Sequence, residues 1–514
     1  MNYYIIGIGG TGAKVLEALS YLCAAGLMPT GNLSALFIDP DTNNGNVVKA
    51  KTVFGNYRKC SYIDTGGAID FFKTKMPLEP DIWSPFQGWT GVGNPQLYNF
   101  FRYNLLDNAG KNLFDILYSP KEKTTTLEKG FRGHPSIGAA VFANTIPLES
   151  RNPWKDFYNG ISNDKEQGCR IFIVGSIFGG TGAAGLPTFA KLIRNRFKEN
   201  GKDNENIKIG GLVVLPYFSF IPPAADSRVS KELHANSGNF LVSTKAALDY
   251  YHNQEESYDR LYMLGDDENP PVKKFAIGAS EQRNEPHLIE LIGALMGIDF
   301  FRSDFPKEDL KRSYHFLSRA FQNTITWGDI RMRTSEVDKG TMGSLRLEQS
   351  IVHLTRFAFA YLNRFTEQFV EIEKHKRSER FSWYWELFKA KEEIDESTLN
   401  ERRKPLAEFC HSYLDWIAKI VNSIPEKAIK LINYEPFAEK RENQIQLLCE
   451  RKEDITKYNF LEEQMDRLDK FEGVYDEKAM KKVYEEMCRP VTESEKSIEF
   501  GRFLVRLYNS TAKN

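Results

Sequence analysis

Two stretches of this chain are poor in side chains where binding an anion would require it. Gly179-Gly180-Thr181-Gly182-Ala183-Ala184-Gly185 follows the apolar run Ile171–Val174, and helix-forming residues continue from Ala183 to Phe197. A glycine loop between a buried strand and a helix leaves backbone N–H groups free. It also lies at the positive end of the helix dipole, so it is suited to a phosphate. Thr181 adds a hydroxyl that can donate to a phosphate oxygen. The first residues repeat the arrangement: Tyr3–Ile8 is apolar, Gly7-Ile8-Gly9-Gly10-Thr11-Gly12 fits GxGxxG, and Val15, Leu16, Leu19 and Leu22 follow at helical spacing. Both loops point to a nucleotide's phosphates.

Other groups lie near these loops in the order of the chain. Asp39-Pro40-Asp41 closes the apolar run Leu33–Ile38, where an acid could reach a ribose or a metal. Asp41–Asn44 equally suits a polar turn, since Asp, Asn and Pro favour turns. Phe131–Ala140 carries a third glycine-bearing turn, with Gly133, Ile137 and Gly138; His134 reads as a turn residue. A dinucleotide-binding oxidoreductase using NAD(P) would account for GxGxxG and Asp39 but leaves the second loop without a role. The phosphate-loop pattern GxxxxGK[ST] is absent.

These loops need a frame. Strand-like runs Ile207–Leu215 and Arg260–Leu264 alternate with helical stretches Lys231–Tyr251 and Glu285–Phe301, the latter carrying Leu288, Leu291, Ile292, Leu295 and Ile298. Such alternation predicts an α/β fold, a doubly wound parallel sheet with ligand loops at its carboxyl edge. Lys49–Thr126, with four prolines between Pro77 and Pro95, reads as an irregular insertion containing a helix over Tyr98–Leu117. Beyond Leu345 the pattern is helical throughout: Leu347–Lys374, Leu406–Val421, Asn443–Leu448, Tyr458–Leu468 and Lys478–Met487, with no strand pattern. The expected division is a nucleotide-binding domain over 1–310, a connecting region over 311–345 and a mainly helical C-terminal domain over 346–514.

Composition narrows the class. The 514 residues are 41% hydrophobic and 27% charged with a formal net charge of -1, so charge alone indicates neither nucleic-acid nor anionic-membrane binding. The six cysteines form no CxxC pair, which disfavours a zinc site or disulfide framework. The amino terminus has no signal-peptide pattern and no apolar stretch is long enough for a membrane span, so the expected location is cytoplasmic.

The order of the loops resembles the tubulin/FtsZ superfamily, and within it the divergent bacterial tubulin-like proteins. Gly179–Gly185 is similar to that family's GGGTGTG phosphate loop. Gly9, Gly10, Thr11 and Gly12 resemble its first nucleotide loop, and Asp39 and Asp41 lie where its second should be. Gly133, Ile137 and Gly138 resemble its third. Leu215-Pro216-Tyr217-Phe218 resembles the entry to the ribose-side loop. The resemblance implies GTP or GDP as ligand with Mg²⁺ bridging phosphate oxygens. It assigns phosphate contacts to Gly179, Gly180, Thr181, Gly182 and Ala183, and a guanine contact to Asn284, ahead of a central helix near 285–301. It further implies self-assembly head to tail, with water-positioning acids supplied by the next copy. Asp304 and Asp309 are the candidates, with Asp329 as a further one. The family's NxDxxD motif is not intact here, and its mixed α/β second domain is replaced by a helical pattern. A non-hydrolysing switch that holds a partner protein through the helical domain remains an alternative, and a role in a defence system is a further possibility the resemblance raises.

Overall fold

The computed structural model describes residues 1–91, 93–144, 151–199, 202–220, 238, 240–252, 257–266, 270–272, 278–305, 324–330, 341–365, 382–389, 396–424, 428–431, 477–492, 495, 498 and 500–512. They fall into two compact units. One comprises Met1–Leu19, Pro29–Phe54 and Met76–Asp304; the other comprises Ser20–Met28, Gly55–Lys75 and Phe305–Asn514.

The first unit is built on β1 (Asn2–Ile8), β2 (Asn32–Ile38), β3 (Asp81–Trp83), β4 (Cys169–Ser176), β5 (Ile207–Val214) and β6 (Arg260–Leu264). They form one sheet in the order β3-β2-β1-β4-β5-β6, and every neighbouring pair is parallel. Parallel neighbours require crossovers, supplied by α1 (Gly9–Ala24), α2 (Gly45–Ser61), α3 (Pro135–Asn144), α4 (Trp154–Asp164), α5 (Gly180–Arg196) and α6 (Phe240–His252), while α7 (Leu288–Arg302) follows the last strand. The winding reverses between β1 and β4, which leaves a crevice at their carboxyl ends, where ligands bind in such sheets. Register fixes its floor: Ile8 lies opposite both Ile38 and Gly175.

Both faces of the sheet are covered, which is why its strands are apolar without alternation. On one face Ile6, Ile8, Ile38, Ile171 and Ile173 join Trp83, Phe142, Trp154 and Phe189 in one core. Trp154 is fully buried, with its ring 4.9 Å from Tyr158 and 5.4 Å from Phe189. On the other face lies α7. Phe172 stacks on Phe300 at 5.4 Å, and Tyr3 meets Phe301 at 4.9 Å. A Cβ on Gly293 would sit 2.9 Å from Leu212 Cδ2, so glycine lets the helix lie close.

Several boundaries differ from the sequence reading. The stretch Tyr98–Leu117 is not one helix: Leu97–Phe100, the 3-10 turn Tyr103–Leu105 and Asn108–Leu117 are separate. Arg102 adopts a left-handed φ of 49°, and the Asp107 side chain caps the last helix by accepting from Gly110 N. The start of the presumed irregular insertion is the end of α2. Helices α3 and α5 begin earlier than their apolar residues suggest, within the glycine turns themselves. Helix α7 begins later, at Leu288, because His287 caps it by accepting from Ile289 N at 3.2 Å.

The second unit contains α8 (Thr341–Ala360), α9 (Glu396–Ile420), α10 (Glu477–Met487) and α11 (Gly501–Ala512). Its core is aromatic: Tyr21 packs 4.8 Å from Trp416, Phe71 packs 5.4 Å from Phe357, and Phe365 packs 5.1 Å from Trp383. The expectation of no strands in the C-terminal region is corrected here. β7 (Thr324–Thr326) pairs in parallel with β8 (Ala428–Lys430), too short for periodicity to mark. The helices expected at Asn443–Leu448 and Tyr458–Leu468, and most of 311–345, lie outside the described residues. Among the described residues no helix is long and apolar enough to cross a membrane.

Candidate functional site

The crevice brings the two glycine loops together. Gly9 has φ +70, and a Cβ there would lie 3.5 Å from Thr181 Cβ and 3.7 Å from Gly182 N. The glycines differ in why they lack side chains. A Cβ on Gly12 would stand 2.6 Å from Val174 O, and one on Gly182 would stand 2.3 Å from Ser176 O, so packing requires glycine there. At Gly179, φ is an ordinary -96° and the nearest obstacle is Ser176 Oγ at 3.1 Å; at Gly10 it is Asn46 Nδ2 at 3.2 Å. Flexible side-chain ends could yield at these two positions. Their bareness therefore clears space rather than serving the fold. Gly179 is also the N-cap of α5 and offers no side-chain acceptor to the first-turn amides.

The third turn joins this pair. A Cβ on Gly180 would lie 3.0 Å from His134 N and 3.2 Å from Gly133 N; one on Gly138 would lie 3.0 Å from Gly180 O. Gly133 has φ +80, Ile137 is fully buried, and Ala183 is nearly so. His134 Nδ1 stands 3.2 Å from Glu122 Oε1, on the side chain that closes a neighbouring capping box. Arg132, with a left-handed φ of 50° and little exposure, lies beside Gly133 and was not legible as a site residue.

On the β2 side, Asp39 and Asp41 are both 3% exposed. Asp39 Oδ1 accepts from Asp41 N at 2.8 Å, and Asp41 accepts from Asn43 N at 3.1 Å and Ala279 N at 2.5 Å. Burial pushes the Asp39 carboxyl up to about 8, against the lowering effect of the Asp41 amide; burial likewise raises Asp41. Three carboxamides, those of Asn44, Asn46 and Gln282, and the Asn284 backbone N–H complete this side. Asn44 Nδ2 donates to Gln282 Oε1 at 3.2 Å, Asn44 Oδ1 accepts from Asn46 N at 3.0 Å, and Asn46 Oδ1 accepts from Asn284 N at 2.9 Å. Asn284 thus reaches the edge of the first glycine loop, three residues ahead of the N-cap of α7. Sequence reasoning placed Asn44 in a polar turn and did not single out Asn46 or Gln282.

A buried polar group ties the first loop to α7. Lys14 Nζ lies 2.5 Å from Glu290 Oε1 and donates to Glu285 O at 2.6 Å. Tyr217 OH donates to Glu290 Oε1 at 3.0 Å and is hydrogen-bonded to the Thr11 side chain. Glu290 Oε2 accepts from His287 N at 3.0 Å. Burial raises the Glu290 carboxyl, and the Lys14 charge opposes that rise. The available signal was an acid inside an otherwise apolar helical run, since a buried charge needs a partner.

Of the acids expected at the far end, Asp304 is exposed and lies two residues past α7. Asp329 is exposed and accepts from Thr326 N and Oγ, each at 2.7 Å, so it closes a capping box. Asp309 lies outside the described residues. Among the described residues, no group of three or more His, Cys, Asp and Glu side chains could hold a metal ion.

Residues 140–371 match the protein-family model described as "Tubulin like". That stretch contains the second glycine loop and α7; the first loop lies outside it and is brought in by the sheet. Among solved structures, the chain is similar to CetZ2 from Haloferax volcanii in a GTPγS-bound protofilament, at 13% identity and a TM-score of 0.28. The alignment covers 59% of this chain and 58% of that one. It is also similar to CetZ from Methanosaeta thermophila strain DSM 6194, at 14% identity and a TM-score of 0.23, over 57% and 52% of the two chains. The chain thus spans under two thirds of either structure. No curated protein matches the sequence.

Proposed function

From the premise that this chain is a divergent tubulin-like protein, we infer that it binds GTP in the crevice between Gly9–Gly12 and Gly179–Ala183. We further infer that it hydrolyses GTP on head-to-tail self-assembly. The observation that carries the reading is the bareness of Gly10 and Gly179, which the chain's own packing does not require. First-turn amides of α1 and α5, with the Thr181 hydroxyl, would hold the phosphates. Gly133, Ile137 and Gly138 would border the terminal phosphate, and Asn284 would meet the base. When bound, Mg²⁺ would supply charge neutralisation on the phosphate oxygens. Asp41 and Asp39 line that side, with their carboxyl oxygens already engaged by loop amides, so they shape the loop. Asp304 and Asp309 of a neighbouring copy would orient the attacking water. Domain 1–310 would carry the nucleotide, and the helical region would face other contacts.

Asp39 speaks against an NAD(P) reading. An acid at that position would accept from ribose hydroxyls, yet here it is 3% exposed and takes the Asp41 amide. The alternative of a non-hydrolysing switch is favoured by one observation: the Asp329 carboxylate is already occupied as a cap.

The test is nucleotide binding by the purified chain with Mg²⁺, followed by sedimentation and phosphate release. Saturable GTP binding in preference to ATP and NAD, with turnover that rises steeply with protein concentration, supports the reading. Tight GTP binding without turnover supports the switch. NAD binding with no GTP binding removes both.

A further inference from the structure

The amino edge of the sheet, opposite the glycine loops, holds the end of α7 with unusual completeness. Arg170, the second residue of β4, donates through Nη1 to Phe301 O at 2.8 Å and to Phe300 O at 3.1 Å. Ser303 Oγ donates to Asp299 O at 2.7 Å, and Ser303 N donates to Phe300 O at 3.2 Å. Arg260, the first residue of β6, donates to Ser303 Oγ. Tyr262 OH donates to Asp299 Oδ2 at 2.5 Å. A helix normally leaves its last four carbonyls to water or to a loose cap; here those of Asp299, Phe300 and Phe301 all have fixed donors. Ser303 then leaves the helix extended, at φ -70 and ψ 143, and the next residue is Asp304. Asp304 is also among the charges that act on the Arg170 guanidinium.

We propose that Arg170 is a positioning residue for hydrolysis in a neighbouring copy: by gripping the last carbonyls of α7 it sets the direction in which Asp304 is presented. The proposal rests on the reading that this chain hydrolyses GTP between copies. Half-buried between β4 and α7, Arg170 cannot reach nucleotide bound at its own carboxyl edge, so its effect would fall only on the copy that Asp304 faces. A cation at a helix C-terminus also suits the helix dipole, but stabilising the dipole requires no particular exit direction. A purely structural role would weaken the chain's fold and its own nucleotide binding together.

The experiment compares wild type, Arg170→Met, Arg170→Lys and Asp304→Asn for GTP affinity, sedimentation and phosphate release per sedimented subunit. Arg170→Met keeps the side-chain volume and removes the donor. It should retain wild-type GTP affinity and lose about 10- to 100-fold in turnover, the scale on which small misplacement acts. Arg170→Lys keeps the charge beneath the helix end and should be intermediate; it carries the test if the Met chain does not fold. Mixing Arg170→Met with Gly179→Val, a variant with an obstructed phosphate loop, should restore turnover, because each copy supplies the half the other lacks. Damage confined to one copy's own fold would not be rescued this way. Wild-type turnover in Arg170→Met and Arg170→Lys alongside a loss in Asp304→Asn overturns the proposal alone, as does a mixture that stays inactive. A wild-type chain without turnover removes the underlying reading and the proposal with it.

Discussion

The two edges of the sheet in the first unit treat the same problem in opposite ways. At the carboxyl edge the helix α5 starts behind a glycine N-cap with no side-chain acceptor, and two of the loop glycines are bare without a packing reason. At the amino edge the helix α7 ends with its carbonyls gripped by Arg170 and Ser303, and Ser303 is held in turn by Arg260. Donors are left open where an anion would sit, while acceptors are closed where the chain must be aimed. One edge is adapted to take something in and the other to hold still. Between them runs α7, anchored at its start by Lys14, Tyr217 and Glu290.

The largest expected effect is at that anchor. Removing one partner of a buried ion pair strands the other, at about 3–5 kcal/mol. Glu290→Ala should therefore lower unfolding free energy in urea by that amount and loosen the start of α7, which hydrogen exchange would locate. An unchanged midpoint would mean that Lys14 finds another partner, and that the helix is not fixed from the glycine-loop side.

Next is a pH effect at the carboxyl edge. Folded Asp39 keeps its proton up to about 8, whereas an unfolded aspartate loses it near 4. Between those values the folded chain binds more protons, so stability should fall as pH rises from about 4 to about 8. The contribution is on the order of a few kcal/mol. Asp39→Asn has no proton to lose and should flatten the fall, as read by denaturation at a series of pH values without nucleotide. A decline just as steep in the variant would place its origin elsewhere.

Smaller effects separate the two kinds of glycine. Gly182→Ala forces a Cβ against Ser176 O and should cost about 1–3 kcal/mol. At Gly179 the added Cβ meets only a serine hydroxyl, and Gly179→Val exchanges one N-cap residue for a poorer one, so it should cost about 1 kcal/mol or less. Equal losses in thermal denaturation would erase the distinction between glycines kept for packing and glycines kept for a ligand.

This contrast was only half legible in the residues. The carboxyl edge announced itself, because a glycine run after an apolar strand serves close packing or anion binding and little else, and the alternation of elements carried the parallel sheet. The fittings that position the loops were hidden for a physical reason. Asn44, Asn46 and Gln282 carry no signal of their own until distant segments meet, since Asn44 and Gln282 lie 238 positions apart. Arg170 and Arg260 read as polar strand starts, because nothing local says that they face the end of a helix about 40 residues beyond the later of them. Short strands such as β7 and β8, at three residues each, are below the length at which alternation is visible. The helix boundaries shifted toward the glycines because a bare loop can start a helix that apolar spacing alone cannot mark.

The most direct test is calorimetric titration of GTP with Mg²⁺ into the wild-type chain and into Gly179→Val, with thermal denaturation of both alongside. The account predicts saturable binding by wild type and at least ~100-fold weaker binding by the variant, a loss of about 2.7 kcal/mol, while both melt within a few degrees of each other. Equal GTP binding by the two chains, or none by wild type, would contradict the claim that the crevice between Gly10 and Gly179 is a phosphate site.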